Sequence, residues 1–170
     1  MQTQSQNLTK KVVKTKIKWV LWVAVLIWMA LIFCFSAQNG TQSAQLSEMA
    51  QQYIVKLTGI PPAAQGVDYQ FVLRKTAHFS VYLVLGILCV TALLYTPKPT
   101  RMAFKAALAI AISAGYAVTD ELHQSFVAGR SARAFDVGID TAGACCGMMI
   151  VLLIAGHHRK KRQQKEQKQS

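Results

Sequence analysis

The sequence carries none of the short motifs that announce a named chemistry. It has no GxSxG elbow, no HExxH helix and no glycine-rich phosphate loop. It has no CxxC and no Cys/His ligand spacing either. Its four cysteines, Cys34, Cys89, Cys145 and Cys146, all fall in apolar stretches. That excludes a disulfide framework and reads them as small packing residues. Acidic residues are scarce, 7 against 19 Lys and Arg, for a net charge of +12. A basic nucleic-acid binder would share this balance. The uncharged block from Trp19 to Phe35 argues against one, so no nucleic-acid partner is expected.

What is present is apolar residue, 52 % of the chain, gathered into four blocks. The first predicted helix runs from Trp19 to Phe35 and the second from Phe71 to Tyr95. The third runs from Arg101 to Gln124 and the fourth from Ala132 to Gly156. The first block is longer than an ordinary signal-peptide core, and Phe35 breaks the small-residue rule for cleavage after Ala37, so a retained helix is expected. In the long connection Ser36 to Gln70, apolar residues recur at helical spacing from Leu46 to Leu57. They predict a short amphipathic helix on the membrane or across the bundle mouth, broken at Gly59-Ile-Pro-Pro. A turn follows the second helix at Pro97 and Pro99. The third helix is rich in small residues, and Gly143 and Gly147 form a small-xxx-small surface on the fourth.

The fold class is therefore an all-α integral membrane protein, a bundle of four transmembrane helices with a short amphipathic helix between the first and second. Residues 1–18 form a basic N-terminus, 19–156 one membrane domain and 157–170 a basic disordered tail. Basic residues number five in the N-terminal segment, three around the Pro97 turn and six in the tail, 14 of the 19. The positive-inside rule puts both termini in the cytoplasm and the amphipathic helix outside.

Ionisable groups in apolar spans are costly and default to functional hypotheses. Here they converge on the outer side. Arg74, Lys75 and His78 open the second helix. Asp120, Glu121, His123 and Gln124 close the third. Arg130 and Arg133 follow, and Asp136 and Asp140 open the fourth. Helical spacing lines up Lys75, His78, Tyr82 and Gly86. It also lines up Tyr116, Asp120, His123 and Gln124, and again Asp136, Asp140, Gly143 and Gly147. Three facing stripes imply a pocket open to the outer leaflet. Asp136 and Asp140 share a face, so one must be protonated or paired with a cation.

These residues resemble the signature of VanZ-like proteins. The resemblance rests on Arg74-Lys75-Thr76-Ala77-His78-Phe79-Ser80-Val81-Tyr82 and on the run from Asp120 to Ser131. It extends to Asp136 and Asp140-Thr-Ala-Gly143, and to Ser36-Ala37-Gln38 with Ser43 and Leu46-Ser47. It covers Ser36 to Gly147. One departure is Ala128, where the family pattern would place proline before Gly-Arg. The family is named for resistance to the lipoglycopeptide teicoplanin. The resemblance implies a multi-pass protein of the bacterial plasma membrane and leaves its chemistry open.

Two readings of the pocket follow. As an enzyme on a lipid-linked substrate, it would use His78 or His123 as general acid or base and Asp120 or Asp136 to orient it. Arg74, Arg130 and Arg133 would clamp phosphate or carboxylate, and Tyr82 would donate a hydrogen bond. Lys75, Glu121, Gln124 and Asp140 complete the expected substrate-binding set. As a binding or shielding protein, it would capture a membrane amphiphile without chemistry, either a lipid-linked envelope precursor or a lipoglycopeptide. A third possibility is that four bases and four acids simply pair and staple the bundle. A divalent ion would use Asp120, His123, His78 and Asp136, but four nearby cations disfavour it. No metal or cofactor is expected. Transport is disfavoured by the lack of midplane charge and of an inverted repeat. The oligomeric state is not specified by these features.

Overall fold

The computed structural model describes residues 2–59, 69–96, 101–130 and 132–168. Among these are five α-helices and no strand. They are α1 (Gln2–Ser36), α2 (Gly40–Thr58), α3 (Tyr69–Tyr95), α4 (Met102–Gln124) and α5 (Ala134–Gln167). All but α2 are long and apolar enough to cross a membrane. Their outer faces carry large apolar side chains such as Val20, Leu26 and Leu153, each more than 60 % exposed. Contiguous apolar surface on that scale marks contact with a membrane rather than with water.

The predicted spans lie where the structure has helices, with two corrections at the chain ends. α1 begins at Gln2 rather than Trp19, and α5 runs past Gly156 to Gln167. The segment 157–167, expected to be disordered, is helix. Lys, Arg, Gln and Glu are all good helix formers, and no breaker follows Gly156, so a helix nucleated in the bundle propagates into the polar segment. At about 1.5 Å per residue each of these helices is about 50 Å long, beyond the roughly 30 Å hydrocarbon core. The breaks expected at Pro61-Pro62 and around Pro97 and Pro99 lie outside the described residues, as does Ser131.

α3 is the hub. It packs most extensively on α5, and also on α1, α4 and α2. Its buried face, Tyr82, Leu85, Cys89, Val90, Ala92 and Leu93, supplies half of the core. Of the four cysteines Cys89 is buried, Cys145 is half-buried, and Cys34 and Cys146 are exposed on the apolar helix surfaces. The side chains of α1 reach across to neighbouring backbones. Trp28 Nε1 donates to the Val81 carbonyl at 2.8 Å, and the Tyr116 hydroxyl of α4 donates to the Met29 carbonyl at 2.5 Å.

The α3–α5 seam is backbone against backbone. A Cβ on Gly86 would strike the Ala144 carbonyl. One on Gly143 would strike that of Phe79, and one on Gly147 that of Leu83. Lys75–Asp136, His78–Asp140, Phe79–Gly143 and Leu83–Gly147 rise together along both helices, so α3 and α5 run parallel. Small residues admit this approach, which is the main source of packing attraction between helices in lipid.

α2 is set by its ends. Asn39 caps it through a capping box, with its side chain accepting from the Gln42 amide at 2.9 Å and Gln42 Oε1 accepting from the Asn39 amide at 3.2 Å. Gly59 ends it at φ 70°, a left-handed geometry suited to glycine. Its first residue docks on the α4–α5 loop: the Gly40 amide donates to the Ala128 carbonyl at 3.1 Å. No residue of α2 is buried, and Leu46, Met49, Tyr53 and Leu57 are all exposed.

Because the seam has no room for a Cβ, Gly143→Ala and Gly147→Ala should each cost about 1–3 kcal/mol despite alanine's better helix propensity. Gly115 faces open space, so Gly115→Ala should leave stability unchanged or raise it. Thermal unfolding in detergent, followed by size-exclusion chromatography of the surviving monodisperse protein, separates the two outcomes.

Candidate functional site

The parallel seam brings the first turns of α3 and α5 side by side. Two cation–anion pairs form there. Lys75 Nζ meets the Asp136 carboxylate, and both side chains are about nine-tenths buried. One helical turn deeper, His78 Nδ1 lies 3.4 Å from Asp140 Oδ1, and Asp140 is only 1 % exposed. The two acids that share a face of α5 are thus each matched by a cationic or protonatable partner on α3. Neither Asp140 oxygen has an aligned hydrogen bond. The imidazole edge is therefore the polar group nearest to a carboxylate held out of water.

α4 contributes a third acid. Asp120 is 4 % exposed, and its Oδ2 accepts from Gln124 Nε2 at 3.1 Å. Its Oδ1 has no partner, nor does the buried Tyr82 hydroxyl. The Ser36 hydroxyl, at the end of α1, sits beside the same carboxylate. These groups form the polar floor of a cavity of about 360 Å³ between α1, α2, α3 and α4. Its walls are otherwise apolar, with Ile32 and Phe35 from α1, Leu46 and Ala50 from α2, and Leu73 and Val81 from α3.

A second cavity of about 220 Å³ adjoins it, lined by Arg74, Lys75, His78, Gln124, Gly129, Arg130, Arg133 and Asp136. Arg74, His78, Gln124 and Arg130 line both cavities and so form their shared wall. The second cavity is strongly cationic. Lys75 is consumed by Asp136, but no carboxylate comes within ion-pair distance of Arg74, Arg130 or Arg133 among the described residues. Burial first, and then the like charge of Arg74, push the Arg130 guanidinium below the usual arginine range. Gly129, at φ 75°, turns the loop that carries Arg130.

Nine of the twelve expected site residues line one or both cavities. Arg74, His78, Gln124 and Arg130 line both; Tyr82 and Asp120 line the first; Lys75, Arg133 and Asp136 line the second. Asp140 stands behind His78. The other two sit elsewhere. His123 stacks on Phe33 of α1, with ring centroids 4.5 Å apart, and lines neither cavity. Glu121 accepts from the Arg133 amide at the N-terminus of α5 and acts there as a cap. Ser36 and the α2 residues Ser43 and Ser47 reach the first cavity without having been singled out as site residues. The available signal was a hydroxyl closing an apolar span.

A family model described as VanZ/LLP1 matches residues 21–155. The chain belongs to the VanZ/LLP1 family. No curated protein and no solved structure matches it. Membership and the four spanning helices make it a membrane protein. The region matched to VanZ/LLP1 includes both cavities and every residue of the two ion pairs.

The pairing of Lys75 with Asp136 is open to a direct test. Asp136→Ala leaves a buried ammonium without a counter-charge and should destabilise the protein by about 3 kcal/mol. The double variant Lys75→Met/Asp136→Leu should recover most of that loss, since an apolar pair of similar volume avoids desolvation. Thermal unfolding of the single and double variants in one detergent measures the difference.

Proposed function

We propose that this VanZ/LLP1 protein holds a lipid-linked or lipidated amphiphile of the bacterial envelope, with its anionic head in the arginine-lined cavity and its apolar part in the adjoining one. The observation that carries this reading is the shared wall of Arg74, His78, Gln124 and Arg130. An apolar chamber opening onto a cationic one fits a molecule with a greasy end and a charged end. Neither an ion nor a soluble metabolite would use both. Arginines with no carboxylate partner among the described residues also fit a ligand better than a stapling role, because a staple needs its counter-charge in place.

The charge distribution, with 14 of 19 basic residues at the two termini and around Pro97, supports placing the cavities at the outer leaflet with both termini in the cytoplasm. The lipoglycopeptide teicoplanin and a lipid-linked cell-wall precursor are the two envelope candidates of this type. His78, backed by Asp140, is placed to exchange a proton with the bound head, which is the step a hydrolase or transferase would need. One observation favours capture without chemistry. Among the described residues no serine or cysteine hydrogen-bonds His78, so no nucleophile–base pair is assembled.

Protein purified from a bacterial membrane should yield an anionic amphiphile on solvent extraction and mass spectrometry, and Arg74→Ala/Arg130→Ala should lose it. An identical extract from the double variant sinks the reading. His78→Gln separates the two modes: catalysis predicts that the amphiphile stays bound while any resistance phenotype disappears, and capture alone predicts that the phenotype survives.

Orientation is tested in a background with the four native cysteines replaced. A membrane-impermeant thiol reagent added to intact cells should label Ser125→Cys and spare Thr96→Cys. Labelling of Thr96→Cys alone reverses the assignment.

A further inference from the structure

We infer that the anionic head is a phosphate ester rather than a carboxylate, and that Arg74, Arg130 and Arg133 together form its clamp. This rests on the amphiphile reading above and narrows it to one chemical class. The lining of the smaller cavity holds four permanent cations, of which one, Lys75, is neutralised by Asp136. Three guanidinium groups remain around one space, with no carboxylate paired to any of them among the described residues. A carboxylate brings one charge and two oxygens, enough for a single bidentate guanidinium. A phosphate monoester brings up to two charges and three terminal oxygens, one face for each arginine.

The three side chains arrive from different directions. Arg74 comes from α3, Arg130 from the α4–α5 loop and Arg133 from the N-cap position of α5. Three donors converging from three elements suit a tetrahedral group better than a planar one. Arg130 and Arg74 line the same cavity with like charge, and an anion seated between them offsets that repulsion. Lysines would serve as point charges. A set made of arginine supplies planar forks matched to phosphate oxygens. The shared wall then fixes the ligand's direction, with phosphate at the arginines and chain toward Leu46, Leu73 and Val81.

The test uses the full-length protein in a non-ionic detergent at about pH 8, above a phosphate ester's second pKa of about 6. Binding of dodecyl phosphate, dodecanoate and inorganic phosphate is measured by microscale thermophoresis. Dodecyl phosphate should bind about tenfold or more tightly than dodecanoate, the difference expected for added charge-assisted hydrogen bonds. Inorganic phosphate should compete weakly. Arg130→Gln and, separately, the charge-conserving Arg130→Lys should each weaken dodecyl phosphate binding more than dodecanoate binding and so erase most of the preference between them. Equal wild-type affinities for dodecyl phosphate and dodecanoate overturn the phosphate assignment and leave the amphiphile reading standing. Binding of neither chain overturns both. Inorganic phosphate binding as tightly as dodecyl phosphate assigns the site to free phosphate and overturns a lipid headgroup as its source.

Discussion

The contact on which the rest of the structure depends is the glycine seam between α3 and α5. Gly143 lies on the Phe79 carbonyl, Gly147 on that of Leu83, and Gly86 on that of Ala144. Backbone-on-backbone contact leaves no slack, so the seam fixes axial register as well as separation. The register it imposes sets Lys75 against Asp136 and His78 against Asp140. A shift of one helical turn, about 5.4 Å, would break both pairings and leave at least one of the two buried acids without a cationic or protonatable partner. In a low-dielectric interior that error costs more than packing alone can return. Packing and electrostatics therefore select the same alignment, and the polar end of the bundle is anchored by its apolar middle.

The same alignment decides which cations are left over. The acids of α5 take the lysine and the histidine of α3. Glu121 is turned to the Arg133 amide and so holds the start of α5 in place. Asp120 is held by Gln124 below the shared wall. Among the described residues, these four acids are thus each committed to a partner or to the cavity floor, and none is paired with an arginine side chain. The near-neutral count of four bases and four acids had suggested mutual cancellation. The geometry separates them instead into a satisfied layer at the α3–α5 interface and an unsatisfied cationic layer above it. A formal charge balance says nothing about this, because pairing depends on which side chains share a level and a face.

The spans, the stripes on α3 and α5 and the cavity residues of those two helices were legible in the sequence because helical spacing and apolar runs encode them directly. The stripe on α4 shows the limit of that reasoning. At about 100° per residue, Tyr116 and His123 lie within about 20° of each other, while Asp120 and Gln124 fall about 40° and 80° to one side of Tyr116. One sequence stripe thus held two neighbouring lines. The first faces α1, where Tyr116 bonds the Met29 carbonyl and His123 stacks on Phe33. The second faces the cavity. Spacing places residues on a helix, but only the position of α1 decides where one line ends and the next begins. The helical tail was missed for a different reason: a run of charge excludes burial, and it does not exclude helix.

Family membership constrains the fold and leaves the chemistry to be argued from the cavities, whose construction ties two parts of the chain together. α2 covers the apolar chamber through Leu46 and Ala50 and has no buried residue of its own, so its first turn and its contact with α3 together hold it. The described anchor is the Gly40 amide on the Ala128 carbonyl, where a Cβ on Gly40 would come within 2.6 Å of the Gly129 carbonyl oxygen. Arg130 follows directly. The roof of the apolar chamber and the arm of the cationic chamber therefore share one backbone junction. The cover of the apolar chamber and the arginine of the cationic one are thus held by the same backbone hydrogen bond, so a ligand of the proposed amphiphilic kind would meet two chambers whose geometries depend on one contact.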